Sequence, residues 1–231
     1  MTNRIFVAGA AGAVGRRLCP LLVADGWHVT GTTRSPLRAD ALREVGVEPV
    51  IVDVYDEPAL HRAVADSGAA IVIHQLTDLP PALDPARMPE ALIRNARIRD
   101  VGTRHLIAAS VASGVTRLIV QSIAFVYAPG PTPYREDARL ASKSLADFEQ
   151  QVLSAPMAGL ILRYGEFYGP GTGFDQRTGA GPVHVDAAAD AARRAVTRGA
   201  AGVYNIAEDD GTVSIVRARA ELGWSPEFRI G

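Results

Sequence analysis

The chain has 231 residues, 48% of them hydrophobic and 21% charged, with a formal net charge of −1. That length suffices for one α/β domain with a sizeable core, and the balanced charge excludes a global basic footprint for nucleic acid. The single cysteine, Cys19, excludes an intrachain disulfide and suits a reducing cytoplasm. No apolar run reaches the ~20 residues of a membrane helix, and three glycines interrupt the N-terminal apolar stretch that a signal peptide would need. The expectation is a cytoplasmic protein with a small-molecule substrate and neither membrane nor nucleic acid as a partner.

In chain order, residues 4–8 form a short apolar run that reads as a buried strand, and Val14, Leu18, Leu21 and Leu22 then recur at helical spacing. Between them lies Gly9-Ala10-Ala11-Gly12-Ala13-Val14-Gly15, so the segment reads strand, glycine turn, helix. That arrangement suits a dinucleotide. Gly9 permits the tight turn, Gly12 lets the backbone approach a pyrophosphate, and Gly15 lets the helix pack closely. The N–H groups at the helix start, around Ala13 and Val14, face the phosphates. An ordinary glycine-rich turn is the plainer alternative, and the strand-turn-helix setting argues against it. Further strands are predicted at 28–33, 48–53, 70–74, 116–121, 158–163 and 202–206. Helices are predicted at 13–25, 36–45, 57–67, 88–113, 140–154 and 186–198. This alternation, with short and continuously apolar strands, predicts a Rossmann-type, doubly wound parallel sheet covered on both faces. Pro/Gly-rich stretches at 78–89, 128–134 and 169–183 follow strands, where ligand loops gather. Cys19 reads as a buried helix residue.

The second strand ends Thr32-Thr33-Arg34. An acid there would hold the ribose 2′-hydroxyl of NAD. None is present, and the hydroxyl of Thr33 with the guanidinium of Arg34 suits a 2′-phosphate. NADP is therefore expected ahead of NAD, the alternative being that Arg34 is a solvated loop residue. His74, inside an apolar strand, reads as a satisfied structural residue rather than a base.

The glycine turn at the N-terminus resembles that of the short-chain dehydrogenase/reductase superfamily, in its extended and atypical branches, which include the NAD-dependent epimerase/dehydratase family. The resemblance continues along the chain. Val52-Asp53-Val54 is similar to the acid-hydrophobic pair that recognises adenine, which implies that Asp53 accepts from the amino group and Val54 lies against the ring; Asp53 could otherwise cap the next helix. Val72-Ile73-His74-Gln75-Leu76 resembles the family strand whose end lines the ribose and phosphates, placing Gln75 and Leu76 beside the cofactor. Residues 95–106 resemble the family's N-x-x-G-T helix, with Arg99 at the usual Asn position three before Gly102 and Asn95 one turn earlier. Arg117 to Tyr127 resembles the strand that carries the catalytic serine. By that likeness Ser122 would hydrogen-bond the reacting oxygen and Tyr127 would line the substrate pocket.

Active members carry Tyr-x-x-x-Lys on the following helix. Lys143 matches the lysine, which would hold the nicotinamide ribose, but four residues earlier stands Arg139, which cannot donate a proton near neutral pH. Tyr127 or Tyr134 could substitute, and Lys143 could equally be a plain surface lysine. Further matches are Leu162-Arg163-Tyr164 to Gly171, His184 to Ala191, Gly202 to Ile206, and Glu221 to Pro226. Two of these spacings are short, so the substrate lobe is expected to be trimmed. The organisation expected is one NAD(P)-binding domain over 1–231, in which 164–231 adds a small C-terminal substrate subregion. Helices 88–113 and 140–154 are candidates for a homodimer surface. The implied activity is hydride transfer between NADP, or NAD, and a carbonyl or alcohol carbon of a small molecule. The alternative is a non-catalytic NADP-binding sensor.

Overall fold

The computed structural model describes residues 3–80 and 83–231. Pro81 and Ala82, within the Pro/Gly-rich stretch at 78–89, lie outside the described residues. In chain order the strands are β1 (Arg4–Ala8), β2 (His28–Thr33), β3 (Glu48–Ile51), β4 (Ile71–His74), β5 (Arg117–Ile123), β6 (Ala158–Tyr164), β7 (Phe167–Tyr168), β8 (Val183–His184) and β9 (Gly202–Ile206). Seven of them form one parallel sheet in the order β3-β2-β1-β4-β5-β6-β9. The order reverses between β1 and β4, which opens a crevice at the carboxyl ends of those strands. All seven strands expected from the sequence are present. The two-residue strands β7 and β8 pair separately and are too short for any periodicity to reveal.

The helices are α1 (Gly15–Ala24), α2 (Pro36–Glu44), α3 (Glu57–Ser67), α4 (Met88–Arg97), α5 (Thr103–Ala112), α6 (Lys143–Leu153) and α7 (Val185–Ala195). A wider π-turn over Ile98–Gly102 joins α4 to α5, so the predicted helix at 88–113 is one continuous rod with a local widening. Helix starts follow local chemistry: Ser35, Asp56 and Ser142 each accept a hydrogen bond from the backbone two or three residues into α2, α3 and α6.

Strand alternation sorts the core into two layers. Ile5 and Val7 face one layer with Leu18, Leu22 and the α7 alanines, while Phe6 and Ala8 face the other with Leu60, Leu106 and Phe148. Helices α1 and α7 pack together on the first face, and α3, α5 and α6 cover the second. Between residues 164 and 231, β9 completes the main sheet and α7 covers it. Trp224 is buried and donates its indole N–H to the Ala187 carbonyl at 2.8 Å, pinning the C-terminal segment to α7. The remaining small lobe is the loop between β6 and α7 that carries β7 and β8.

Candidate functional site

The glycine turn leaves β1 at the switch point. Gly9 has φ +91°, a conformation that L side chains rarely adopt, and a Cβ there would lie 2.8 Å from the backbone of Gln75. Its N–H donates to Thr32 Oγ1 at 3.0 Å, so β2 holds the turn in place. A Cβ on Gly15 would sit 2.3 Å from the Gly9 carbonyl oxygen, so that glycine lets α1 start directly on the turn. Gly12 differs. A Cβ there meets only the Gly9 oxygen, at 3.3 Å, and the residue is exposed. Beyond that one tight contact the space around Gly12 is open. No side chain caps α1, and among the described residues no backbone acceptor takes the N–H groups of Ala13 and Val14. A bare helix start with free donors above an open glycine is what a pyrophosphate needs, and a dinucleotide fits these residues.

On the adenosine side, Thr33 Oγ1 accepts from the Ser35 N–H, which shapes the bend after β2. The Arg34 side chain is 62% exposed and lies 3.9 Å from Asp78, a carboxylate that Arg94 also holds at 3.1 Å. Asp53 Oδ1 accepts from the Tyr55 N–H at 2.9 Å, so it folds its own turn, while Asp56 caps α3. Val54 is buried, and its side chain lies 3.2 Å from where a Gly102 Cβ would be; this is why the helix over the cleft has glycine there. Gln75 is 4% exposed, and neither atom of its carboxamide has a partner among the described residues. Leu76 donates its N–H to His74 Nδ1 at 3.2 Å, and His74 Nε2 lies 3.1 Å from the Thr103 hydroxyl. Burial, aided by the Arg99 charge, pushes the His74 pKa down to about 4. Both ring nitrogens are engaged, and burial favours the neutral imidazole.

The side of the crevice above β4, β5 and β6 is built differently. Ser122 is fully buried, and its hydroxyl donates to Glu149 of α6 at 2.7 Å. Arg163 of β6, the register partner of Ser122, grips both oxygens of the same carboxylate, at 2.9 and 2.6 Å. Arg163 also donates to the Tyr127 hydroxyl at 2.8 Å, and that hydroxyl donates onward to Asn205 at 2.6 Å. Tyr127 stacks on Tyr134, with ring centroids 5.0 Å apart. Burial raises the Tyr127 pKa despite the opposing charge and hydrogen bond of Arg163. Lys143 is the first residue of α6, its side chain 87% exposed and bonded to Asp147 at 2.6 Å. Arg139 precedes the helix in an extended segment, where its carbonyl accepts the Ala128 N–H.

The geometry gives each of the expected set, Ser122, Tyr127 and Lys143, a partner within the protein. The Ser122 proton belongs to Glu149 and the Tyr127 proton to Asn205. Lys143 turns to a neighbouring acid at the surface. Residue 139 is outside α6, so the spacing that pairs a tyrosine with a lysine on one helix is not present at 139 and 143. Glu149, Asn205 and Arg163 carry the structural weight here. Their signal in the sequence was polarity at positions predicted to be core.

The sheet order, the switch-point crevice and the uncapped helix over a glycine turn define a dinucleotide-binding α/β protein. A family model described as NAD(P)H-binding matches residues 9–168. The chain belongs to this NAD(P)H-binding family of the short-chain dehydrogenase/reductase superfamily, and it is an NAD(P)-binding, reductase- or epimerase-like protein. It is 37% identical to a 3-diazoavenalumate denitrifying reductase from a Streptomyces species, over 90% of this chain and 76% of that protein. It is 30% identical to the dTDP-4-dehydrorhamnose reductase of Streptomyces griseus over 73% of this chain, and it spans about half, 51%, of that relative. Among solved structures, the UDP-glucose 4-epimerase of Thermotoga maritima superposes with a TM-score of 0.78 at 17% identity, covering 97% of this chain and 94% of that one. The NAD complex of the Thermus thermophilus UDP-glucose 4-epimerase gives 0.71 at 23% identity, covering 97% and 85%. These two share the fold. Among the described residues no helix is long and apolar enough to cross a membrane.

Proposed function

We propose that the protein is an NADPH-dependent reductase of a small electrophile whose reduction needs no acid held by the protein, and that an arenediazonium carboxylate is the substrate class. The observation that carries this reading is the contrast inside the crevice: a complete cofactor cradle at Gly9, Gly12 and Gly15 faces a serine and a tyrosine whose protons are already committed. The 37% identical relative is a denitrifying reductase named for a diazo carboxylate. Bound NADPH supplies a hydride, and an arenediazonium ion plus hydride balances to the arene and N2 with no added proton. The chain's own residues hold and orient. The free N–H groups of α1 take the pyrophosphate, Arg34 with Thr33 takes the 2′-phosphate, Asp53 and Val54 meet the adenine, and the ends of Gln75 and Leu76 floor the ribose. The Glu149–Arg163 pair keeps the β5–β6 wall rigid.

Anaerobic oxidation of NADPH tests this with diazotised 4-aminobenzoate, using 4-formylbenzoate as the carbonyl of matching shape. Benzoate and N2 should form well above the protein-free rate, with little turnover of the aldehyde. Faster reduction of the aldehyde would overturn the substrate class. Tight NADPH binding with no turnover of either compound would favour a second reading, a non-catalytic NADP-binding sensor, which the same committed protons support.

We also propose a homodimer through helices 88–113 and 140–154. Leu92 and Ile93 on α4, Val111 on α5 and Leu153 on α6 are exposed apolar residues on those helices. Sedimentation equilibrium should return twice the chain mass, and Ile93→Glu should return the monomer.

A further inference from the structure

Arg99 stands on the π-turn between α4 and α5, a widening of the kind that gathers at functional sites. The turn lies against the carboxyl end of β4, where Thr103 meets His74, and against α6. Its charge is felt by His74 and in turn feels Glu149. Arg99 lies one turn after Asn95, whose side chain accepts the Asp78 N–H, and one turn before Thr103, which meets His74, so its position on the turn faces the carboxyl end of β4.

Arg99 is half-buried and, among the described residues, makes no hydrogen bond and no ion pair. Every other buried or half-buried arginine among them is held by an acid or a carbonyl: Arg17 by Asp186, Arg94 by Asp78, Arg117 by three carbonyl oxygens, Arg163 by Glu149, Arg193 and Arg194 by Asp190, Arg217 by Glu221. The Glu149 carboxylate is engaged by Arg163 at both oxygens and by Ser122 at one, and it makes no bond to Arg99 among the described residues. Burial lowers the Arg99 pKa, against the opposing charge of Glu149. A half-buried cation without a counter-charge within the protein is open to a ligand that supplies one.

We infer that Arg99 is the anchor for the substrate's carboxylate, which it takes in a bidentate fork on the nicotinamide side of the crevice. The planar guanidinium presents parallel donors that match two carboxylate oxygens, a pairing no lysine reproduces. The inference deepens the reductase reading and rests on it for the substrate. It gives a role to the arginine at the position where the sequence resemblance places asparagine. It also separates recognition from chemistry, since an anchor at a substrate's remote end orients the reacting end without entering the reaction.

Two readouts test it. The first is equilibrium binding of benzoate and methyl benzoate to the NADP+-loaded protein by calorimetry, in wild type, Arg99→Lys and Arg99→Ala. Wild type should bind the acid and not the ester. Arg99→Ala should lose the acid by at least tenfold, Arg99→Lys should recover only part, and NADP+ affinity and melting temperature should be unchanged in both. The second is the KM of diazotised 4-aminobenzoate against that of its methyl ester, where Arg99→Ala should raise the first at least tenfold and leave the second. Equal binding of acid and ester by wild type, undiminished binding by Arg99→Ala, or no binding of the acid at all would overturn the inference. Arg99-dependent binding without turnover would remove the reductase reading and leave the anchor standing. Turnover that ignores the carboxylate would do the reverse.

Discussion

The two halves of the crevice use the same sheet in opposite ways. On the β1–β3 side the site is made of backbone: a positive φ at Gly9, a carbonyl beneath Gly15, and bare N–H groups at the start of α1. On the β4–β6 side the polar side chains that could act on a substrate are locked into one another, from Ser122 through Glu149 and Arg163 to Tyr127 and Asn205. A backbone-built turn depends mainly on its glycines and on the few contacts that hold it, such as Thr32 Oγ1 on the Gly9 N–H. A side-chain-built site is rewired by a few substitutions that leave the fold untouched.

If the β4–β6 network is structural, breaking it should be the largest effect on stability. Glu149→Ala leaves Arg163, 4% exposed, as an uncompensated buried charge, which should lower stability by about 3–5 kcal/mol. Thermal unfolding should fall by on the order of 10 °C, with activity in the remaining folded protein largely retained. A variant that melts like wild type and loses its rate would place Glu149 in the chemistry and erase the contrast.

The cofactor half was legible in the sequence because backbone geometry leaves a residue-type signature. Only glycine serves at Gly9, and seven apolar runs with the right spacing leave few sheets to choose from. The other half was legible only as a family likeness. Lys143 sits in the right segment of chain, but the helix begins at that residue, after the Ser142 cap, and its phase turns the side chain to Asp147 while Leu145 goes inward. Whether Ser122 faces a cleft or a carboxylate depends on the opposite helix, and spacing along one strand does not record that.

The next prediction separates fold from ligand within the first half. Gly12→Val meets only the Gly9 carbonyl oxygen, at 3.3 Å, so melting should fall modestly while the protein stays folded. Overpacking where the pyrophosphate approaches should cost about 1–3 kcal/mol of NADPH affinity, roughly five- to 150-fold, by fluorescence titration. Loss of the fold, or no loss of affinity, would contradict the open cradle. A comparable but more selective effect is expected at its edge. A charge-assisted contact is worth about 1.5–3 kcal/mol, so Arg34→Ala should weaken NADPH about tenfold or more and NADH little; equal losses for both would remove the 2′-phosphate role. The smallest effect belongs to the other half. The pair between Lys143 and Asp147 is exposed, so Lys143→Ala should change stability by no more than ~1 kcal/mol and leave NADPH affinity as it was. A marked loss of affinity would return that lysine to the nicotinamide ribose.

The central claim, a cofactor site working without the usual proton-donating side chains, is tested most directly by stopped-flow NADPH oxidation in the Tyr127→Phe, Lys143→Ala double variant with diazotised 4-aminobenzoate. Protein acid catalysis contributes ~10²–10⁴-fold where it operates. The account predicts a rate within about a factor of two of wild type at matched NADPH occupancy, because no such catalysis operates here. A fall of a hundredfold or more, with folding and NADPH binding intact, would contradict it.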